Sequence, residues 1–139
     1  MNITRMIKLS LIPLLVAMLF SCNNYNHNKV LIIGMGGLGC PVAEFLTRAG
    51  VGCLGIIDSD SVDLSNIHRQ SLYDIGDLKK SKVIVAKKKL KKINSKTKVN
   101  SYKIRLNKNN CRTIIKKYDF IVDASDNFET KFLISDFCK

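Results

Sequence analysis

The sequence predicts an α/β fold, a parallel sheet with helices on both faces, and three observations predict it. Val30, Leu31, Ile32 and Ile33 form a continuous apolar run that meets Gly34, Gly36, Gly37 and Gly39. A run without alternation reads as a strand buried on both sides. Two more short apolar runs, 53–57 and 120–122, each end at an aspartate, Asp58 and Asp123. Between the runs, apolar residues recur three and four apart, which is the period of a helix. Strands and helices in alternation imply parallel pairing through crossover connections.

The elements follow in order. Residues 29–34 read as the first strand and 38–49 as the first helix. Val42, Phe45, Leu46 and Ala49 give that helix its apolar face, and Gly50 stops it. Residues 53–57 are the second strand. A polar excursion follows over 58–73, with a short turn at 65–69 and Asp60 and Asp63 as turn formers. Residues 79–93 read as a helix with Val83, Ala86, Leu90 and Ile93 inward and lysines outward. Residues 98–104 alternate and read as a strand, 111–117 as a short helix and 120–122 as a buried strand. Residues 127–138 have helical periodicity through Phe128, Lys131, Phe132 and Ser135.

Residues 1–28 are of another kind. Arg5 and Lys8 precede a 12-residue apolar run, 9–20, then Ser21, Cys22 and a polar stretch. These are the features of a secretory signal or membrane anchor and its linker. Leu19-Phe20-Ser21-Cys22 is similar to a bacterial lipoprotein cleavage box, with Cys22 as the lipidated residue. The run is short for a membrane span, which takes about 20 residues. The expected division is therefore 1–28 and a domain over 29–139. Membrane contact is expected only through residues 1–22, and the domain itself is expected to be cytoplasmic.

Composition narrows the function. The formal net charge is +12, but the lysines are mixed into helical patterns and read as solvated faces, so no nucleic-acid partner is expected. The five cysteines include no C-x-x-C pair, which removes zinc-ribbon spacing. The glycine turn followed by a helix is a site for a phosphate, held by unpaired N–H groups and the helix dipole. With Asp58 nineteen residues after Gly39, it fits a dinucleotide fingerprint, in which Asp58 accepts from the ribose hydroxyls. That fingerprint alone leaves NAD and ATP both open. Asn66 and Arg69 on the excursion, Lys82 at the next helix and Asp126-Asn127 beyond the last strand favour ATP. They bring cations to a polyphosphate and a carboxylate able to hold Mg²⁺.

The segments G-M-G-G-L-G, A-G-V-G, D-S-D-S-V-D-L-S-N-I-H-R-Q, K-S-K and D-A-S-D-N occur in this order and at compatible spacing. They resemble the ThiF/MoeB/HesA family, the bacterial counterparts of ubiquitin-activating enzymes. The resemblance covers residue 29 to the end. It implies a Rossmann-like domain, a homodimer and an ATP- and Mg²⁺-dependent reaction. That reaction adenylates the C-terminal carboxylate of a ubiquitin-like sulfur-carrier protein and releases pyrophosphate. By position, Gly34, Gly36, Gly37 and Gly39 approach the phosphates and Asp58 takes the ribose. Asn66 and Arg69 contact phosphate, Lys82 neutralises developing charge, and Asp126 holds Mg²⁺ with Asn127 beside it. Arg69, Lys82 and Asp126 are thus the expected catalytic residues. The family's N-terminal arginine helix, carrier-threading loop, catalytic cysteine and paired C-x-x-C motifs have no counterpart here. The expectation is a truncated domain, either an adenylyltransferase part or an inactive nucleotide-binding remnant.

Overall fold

The computed structural model of the chain describes residues 5–7 and 27–137. Their strands are β1 (Arg5–Ile7), β2 (Lys29–Ile33), β3 (Cys53–Ile57), β4 (Lys98–Tyr102) and β5 (Phe120–Asp123). They form one parallel sheet in the order β1-β5-β2-β3-β4. The helices are α1 (Gly39–Arg48), α2 (Lys82–Ile93), α3 (Lys108–Ile115) and α4 (Phe128–Phe137). The chain leaves β2 through β3 to β4, then returns to lay β5 on the other side of β2. Strand order therefore reverses between β2 and β5. Open α/β sheets bind ligands at the carboxyl ends of the strands at such a switch point.

The continuous apolar runs are explained by two cores. Val30 and Ile32 of β2 pack with Leu46 of α1 and Leu90 of α2 on one face. Leu31 and Ile33 pack with Ile114 of α3 and Ile134 of α4 on the other. Each fully buried aliphatic side chain contributes about 2 kcal/mol. Gly55, in the middle of β3, is where the second core closes. A Cβ there would run into the Tyr118 ring and into Leu31 at 2.7 Å. Tyr118 lies over that glycine and shares a 3.0 Å hydrogen bond with the Tyr102 hydroxyl. Asn100 also donates to the Tyr118 hydroxyl, at 3.3 Å. Gly55→Ala is expected to lower stability by about 2 kcal/mol through overpacking, checked by the urea midpoint at unchanged m-value.

Some elements differ from the pattern. The second long helix begins at Lys82, not at 79. Lys79 adopts a left-handed φ of 64°, and Lys79 and Lys80 exchange backbone bonds of 2.8 Å with Val62. Residues 79–81 are thus tied to the excursion and cannot wind into α2. The third helix starts early, because Asn107 caps it. The Asn107 Oδ1 accepts from Asn109 N and Asn110 N at 2.9 and 3.1 Å, and Asn110 Oδ1 accepts from Asn107 N. Phe45 is 53 % exposed, while Ala43 and Thr47 are buried. On α4, Phe128 and Phe132 are 76 and 71 % exposed and Thr130 and Ile134 face inward. Spacing identifies an apolar stripe, but the angle at which the chain leaves a strand decides which stripe meets the sheet. β1 belongs to the stretch read as a secretory-type segment. Its apolar run and Cys22 lie outside the described residues, as does Cys138.

Candidate functional site

Three segments meet at the carboxyl ends of β2, β3 and β5: the glycine turn after β2, the excursion after β3, and residues 124–127. Together they line a cleft of about 860 Å³. The glycine turn is built from glycines with different tasks. Gly34 has φ +95°, and a Cβ on it would sit 2.7 Å from the Ala124 carbonyl oxygen. Gly36 and Gly37 face the cleft. The nearest atom to a Cβ on Gly36 is Gln70 Nε2 at 3.7 Å, and for Gly37 it is the Arg69 guanidinium at 3.4 Å. Their wall is bare backbone, so an anion can come close to the N–H groups at the start of α1. Gly39 does not line the cleft. It is buried against the Gly34 carbonyl oxygen, which a Cβ would strike, and its task is close helix–strand packing.

Met35 locks this turn to its surroundings. Its N–H donates to Asp58 Oδ2 at 2.8 Å. Its carbonyl accepts from the Tyr73 hydroxyl at 2.8 Å and from the Cys40 thiol at 3.4 Å. Burial pushes the Tyr73 phenol and the Cys40 thiol above their ordinary values, so both remain donors at neutral pH. No cysteine lines the cleft among the described residues.

The excursion supplies most of the polar groups. Asp58 also accepts from Asp60 N at 2.8 Å through its other oxygen. Each carboxylate oxygen keeps a second lone pair for a ligand hydroxyl. Asp63 caps a 3-10 turn, Leu64–Asn66, and Asn66 Oδ1 closes the capping box by accepting from Asp63 N at 3.3 Å. The amide nitrogen is therefore the group Asn66 offers to an anion. The turn carries Arg69 and Gln70 to the cleft through backbone bonds to Asn66 O of 3.2 and 2.9 Å. Lys82, the first residue of α2, is only 5 % exposed. Its ammonium lies 3.7 Å from Asp60 Oδ2. The excursion is held from behind by Lys89 of α2, whose ammonium meets Asp74 at 2.7 Å and Asp77 at 2.5 Å. Burial works against the Asp77 charge, but the Lys89 hydrogen bond, the Asp74 backbone bond and the Lys89 and Lys80 charges together hold that carboxyl below its usual range.

Beyond β5, Asp123 Oδ1 accepts from Ser125 N and Oγ at 3.0 and 2.6 Å and folds the turn that presents exposed Asp126. Asn127 Oδ1 accepts from Glu129 N at 2.8 Å and so opens α4.

The cleft thus gathers Gly34, Gly36, Gly37, Asp58, Asn66, Arg69, Lys82, Asp126 and Asn127 of the residues named from the sequence. It also contains Asp60, read from the sequence as a turn former, Lys131, read as part of a helical pattern, and Gln70 and Arg105, which the sequence did not mark as site residues. Gln70 stands in the quoted R-Q pair, and its signal was a polar residue ending a polar loop. It is 2 % exposed, with Oε1 lacking a partner. On the side of β3 and β4 the cleft is apolar, through Ile57, Ile104 and Leu106. Such a cleft suits a ligand with a flat apolar end and an anionic end. Among the described residues, no cluster of three or more His, Cys, Asp or Glu could cage a metal alone. A metal here needs oxygens from the ligand.

Comparison with known proteins agrees with this geometry. The model of the ThiF family matches residues 10–139. The sulfur carrier protein adenylyltransferase of Thermus thermophilus is 45 % identical over 108 residues, covering 78 % of this chain and 40 % of that protein. The adenylyltransferase and sulfurtransferase MOCS3 of Dictyostelium discoideum is 46 % identical over 112 residues, covering 81 % of this chain and 26 % of its own length. The chain thus spans less than half of either relative. Among solved structures, E. coli tRNA N6-threonylcarbamoyladenosine dehydratase TcdA, in complex with ATP, superposes with a TM-score of 0.81 at 24 % identity. It covers 88 % of this chain and 52 % of that one, and at that identity it speaks for the fold. A family match over nearly the whole chain, on a Rossmann-like sheet with its turn and cleft in place, means that this chain belongs to the ThiF family.

Proposed function

We propose that the chain binds ATP with Mg²⁺ in this cleft. We further propose that it provides the adenylating part of an enzyme that activates the C-terminal carboxylate of a ubiquitin-like sulfur-carrier protein. The observation that carries the reading is the buried Lys82 lining one cleft with bare Gly36 and Gly37 at the switch point. A dinucleotide needs an anion-binding turn but has no use for a further, buried ammonium in the same cleft. The orphaned Gln70 Oε1 and the side-chain-free glycine wall both fit a nucleotide. Ile57, Ile104 and Leu106 fit its base.

In this reading the glycine turn and Asn66 hold phosphate oxygens, and Arg69 forks two of them. Asp58 accepts from the ribose. A carrier carboxylate attacks the α-phosphorus, the bond to the β-phosphate bridging oxygen breaks, and pyrophosphate leaves with the electron pair. Two anions must meet, so catalysis is alignment and neutralisation, and Lys82 carries the largest share at the α-phosphate. Asp126, with Asn127 beside it, would hold Mg²⁺, which screens charge between phosphate oxygens. One carboxylate plus phosphate oxygens and water is ordinary for this ion. The relatives' names support a sulfur-carrier partner. A homodimer and a cytoplasmic location complete the reading, with membrane contact confined to residues 1–22. No helix among the described residues is long and apolar enough to cross a membrane.

The test is exchange of labelled pyrophosphate into ATP in the presence of a sulfur carrier with a free C-terminus. The expected outcome is carrier-dependent exchange, with Asp126→Ala losing its Mg²⁺-dependent part by at least about tenfold. ATP binding without exchange would leave a nucleotide-binding remnant. Tighter binding of NAD than of ATP–Mg²⁺ would overturn both.

A further inference from the structure

Lys82 places a positive charge where another already exists. It opens α2, whose first-turn N–H groups carry the positive end of the helix dipole. It is also buried, and a buried ammonium without a counter-charge is costly. The carboxylate at ion-pair distance belongs to Asp60, at 3.7 Å and beyond hydrogen-bond distance, and the exposed Asp63 carboxylate feels the same ammonium more weakly. The Asp60 side chain is 69 % exposed, against 7 % for Lys82. The buried cation is thus balanced by an anion standing in water.

The backbone of Asp60 is fixed independently of that side chain. Its N–H donates to Asp58 Oδ1 at 2.8 Å, and its carbonyl accepts from Lys82 N at 3.1 Å. The adjoining residues pair as well, Ser61 with Ser81 in an antiparallel bridge. The carboxylate can therefore rotate away without disturbing the loop. Asp58, Asp60 and Lys82 form one connected chain from the ribose end of the cleft to the phosphate end.

We propose that Asp60 is a placeholder for phosphate: its carboxylate balances the Lys82 ammonium while the cleft holds no nucleotide and gives up that cation when a triphosphate arrives. The proposal rests on the reading of the cleft as an ATP site. Asp60 does not touch the reacting atoms and acts through Lys82, so it is a positioning residue. The exchange has two consequences of opposite sign. In the empty protein Asp60 stabilises the fold by covering a buried charge. Toward ATP it competes as an anion and weakens binding. A residue that merely shapes the loop would weaken binding when altered.

The experiment is calorimetric titration of ATP, and separately of inorganic tripolyphosphate, into the full chain and its Asp60→Asn and Asp60→Glu variants. Titrations run without metal and again with Mg²⁺, beside thermal unfolding with and without ATP. Asp60→Asn keeps the backbone contacts and removes the charge. It is expected to bind both probes about two- to fivefold more tightly, the span of one exposed ion pair. It is expected to unfold at a lower temperature when empty and at the parent's temperature when saturated with ATP. Asp60→Glu keeps the charge and is expected to behave as the parent. Equal or weaker binding by Asp60→Asn, while the parent binds ATP, would overturn the placeholder and leave the ATP site standing. So would a loss confined to titrations with Mg²⁺, which would make Asp60 a metal ligand. A folded parent that binds neither ATP nor tripolyphosphate would remove the nucleotide reading itself, and the proposal with it. Should Asp60→Asn not fold, the double variant Asp60→Asn/Lys82→Met removes both charges. Recovery of the fold supports the counter-charge role, and no recovery overturns it.

Discussion

Lys82→Met is expected to weaken ATP binding by about 10- to 100-fold, the value of one charge-assisted hydrogen bond to phosphate. The same substitution is expected to leave the empty protein as stable as before or more so. These effects differ in sign because Lys82 is buried at 5 % exposure. Its ammonium costs desolvation energy in the empty cleft, and the counter-charge 3.7 Å away is largely in water. Methionine keeps the length of the apolar stem and releases that cost. Arginine would not be a conservative exchange, since a planar fork has to fit a slot shaped for a single ammonium. Calorimetric titration of ATP with Mg²⁺, beside thermal unfolding without ligand, separates the two effects. Unchanged affinity in a folded Lys82→Met protein would remove Lys82 from the phosphate site. Lost stability would show that the ammonium itself holds the empty fold, since methionine keeps the stem.

Gly39→Ala is expected to cost about 4 kcal/mol or more, at the top of the range for a single substitution. The added Cβ would overlap the Gly34 carbonyl oxygen, and behind it lies Ala124 Cβ at 3.6 Å. Both obstacles belong to the backbone or sit close to it, so no side-chain rotation relieves them. Gly34 itself cannot retreat, because its N–H donates to Ile57 O at 2.8 Å. Its φ of +95° is a further constraint. Gly36→Ala is the informative partner experiment. Its Cβ would enter open space with its nearest neighbour at 3.7 Å, so the fold is expected to persist while ATP affinity falls. Urea unfolding of both variants, with ATP titration of Gly36→Ala, checks the pair. Equal loss of stability in the two would mean that the glycines share one structural task and that no ligand approaches at Gly36.

The contrast between these glycines marks what the sequence could reveal. The G-M-G-G-L-G spacing announces a phosphate turn, and the continuous runs at 30–33 and 120–122 announce buried strands, because composition and period are local properties. Which glycine meets the ligand and which meets a carbonyl depends on where α1 lies over β2, and no local property records that. The same limit explains Phe128 and Phe132. Their spacing is apolar and helical, yet the chain leaves β5 at an angle that turns Thr130 and Ile134 inward. Asp60 was legible as a turn former but not as the neighbour of Lys82, because their meeting depends on the antiparallel bridge between Ser61 and Ser81. The Asn107 cap was legible in principle, since an asparagine followed three residues later by Asn110 is a variant of the capping box. β1 had no local signal at all. Three residues with one charge become a strand only because β5 offers an edge.

The strand order also dictates a timetable. β2, the middle strand, is synthesised early, and β3 follows soon enough to cover one of its edges. The other edge waits for β5, paired as Val30 with Phe120 through Ile33 with Asp123. β1 waits as long for the same strand, with Arg5 opposite Phe120. Everything from β2 through β5 must therefore emerge from the ribosome before the centre of the sheet can close. Closure over such separations is slow, and through that interval β2 offers bare backbone to other chains. A nascent chain built in this order depends on being shielded until β5 arrives. The cleft can exist only after that moment, because Asp126 and Asn127 follow β5.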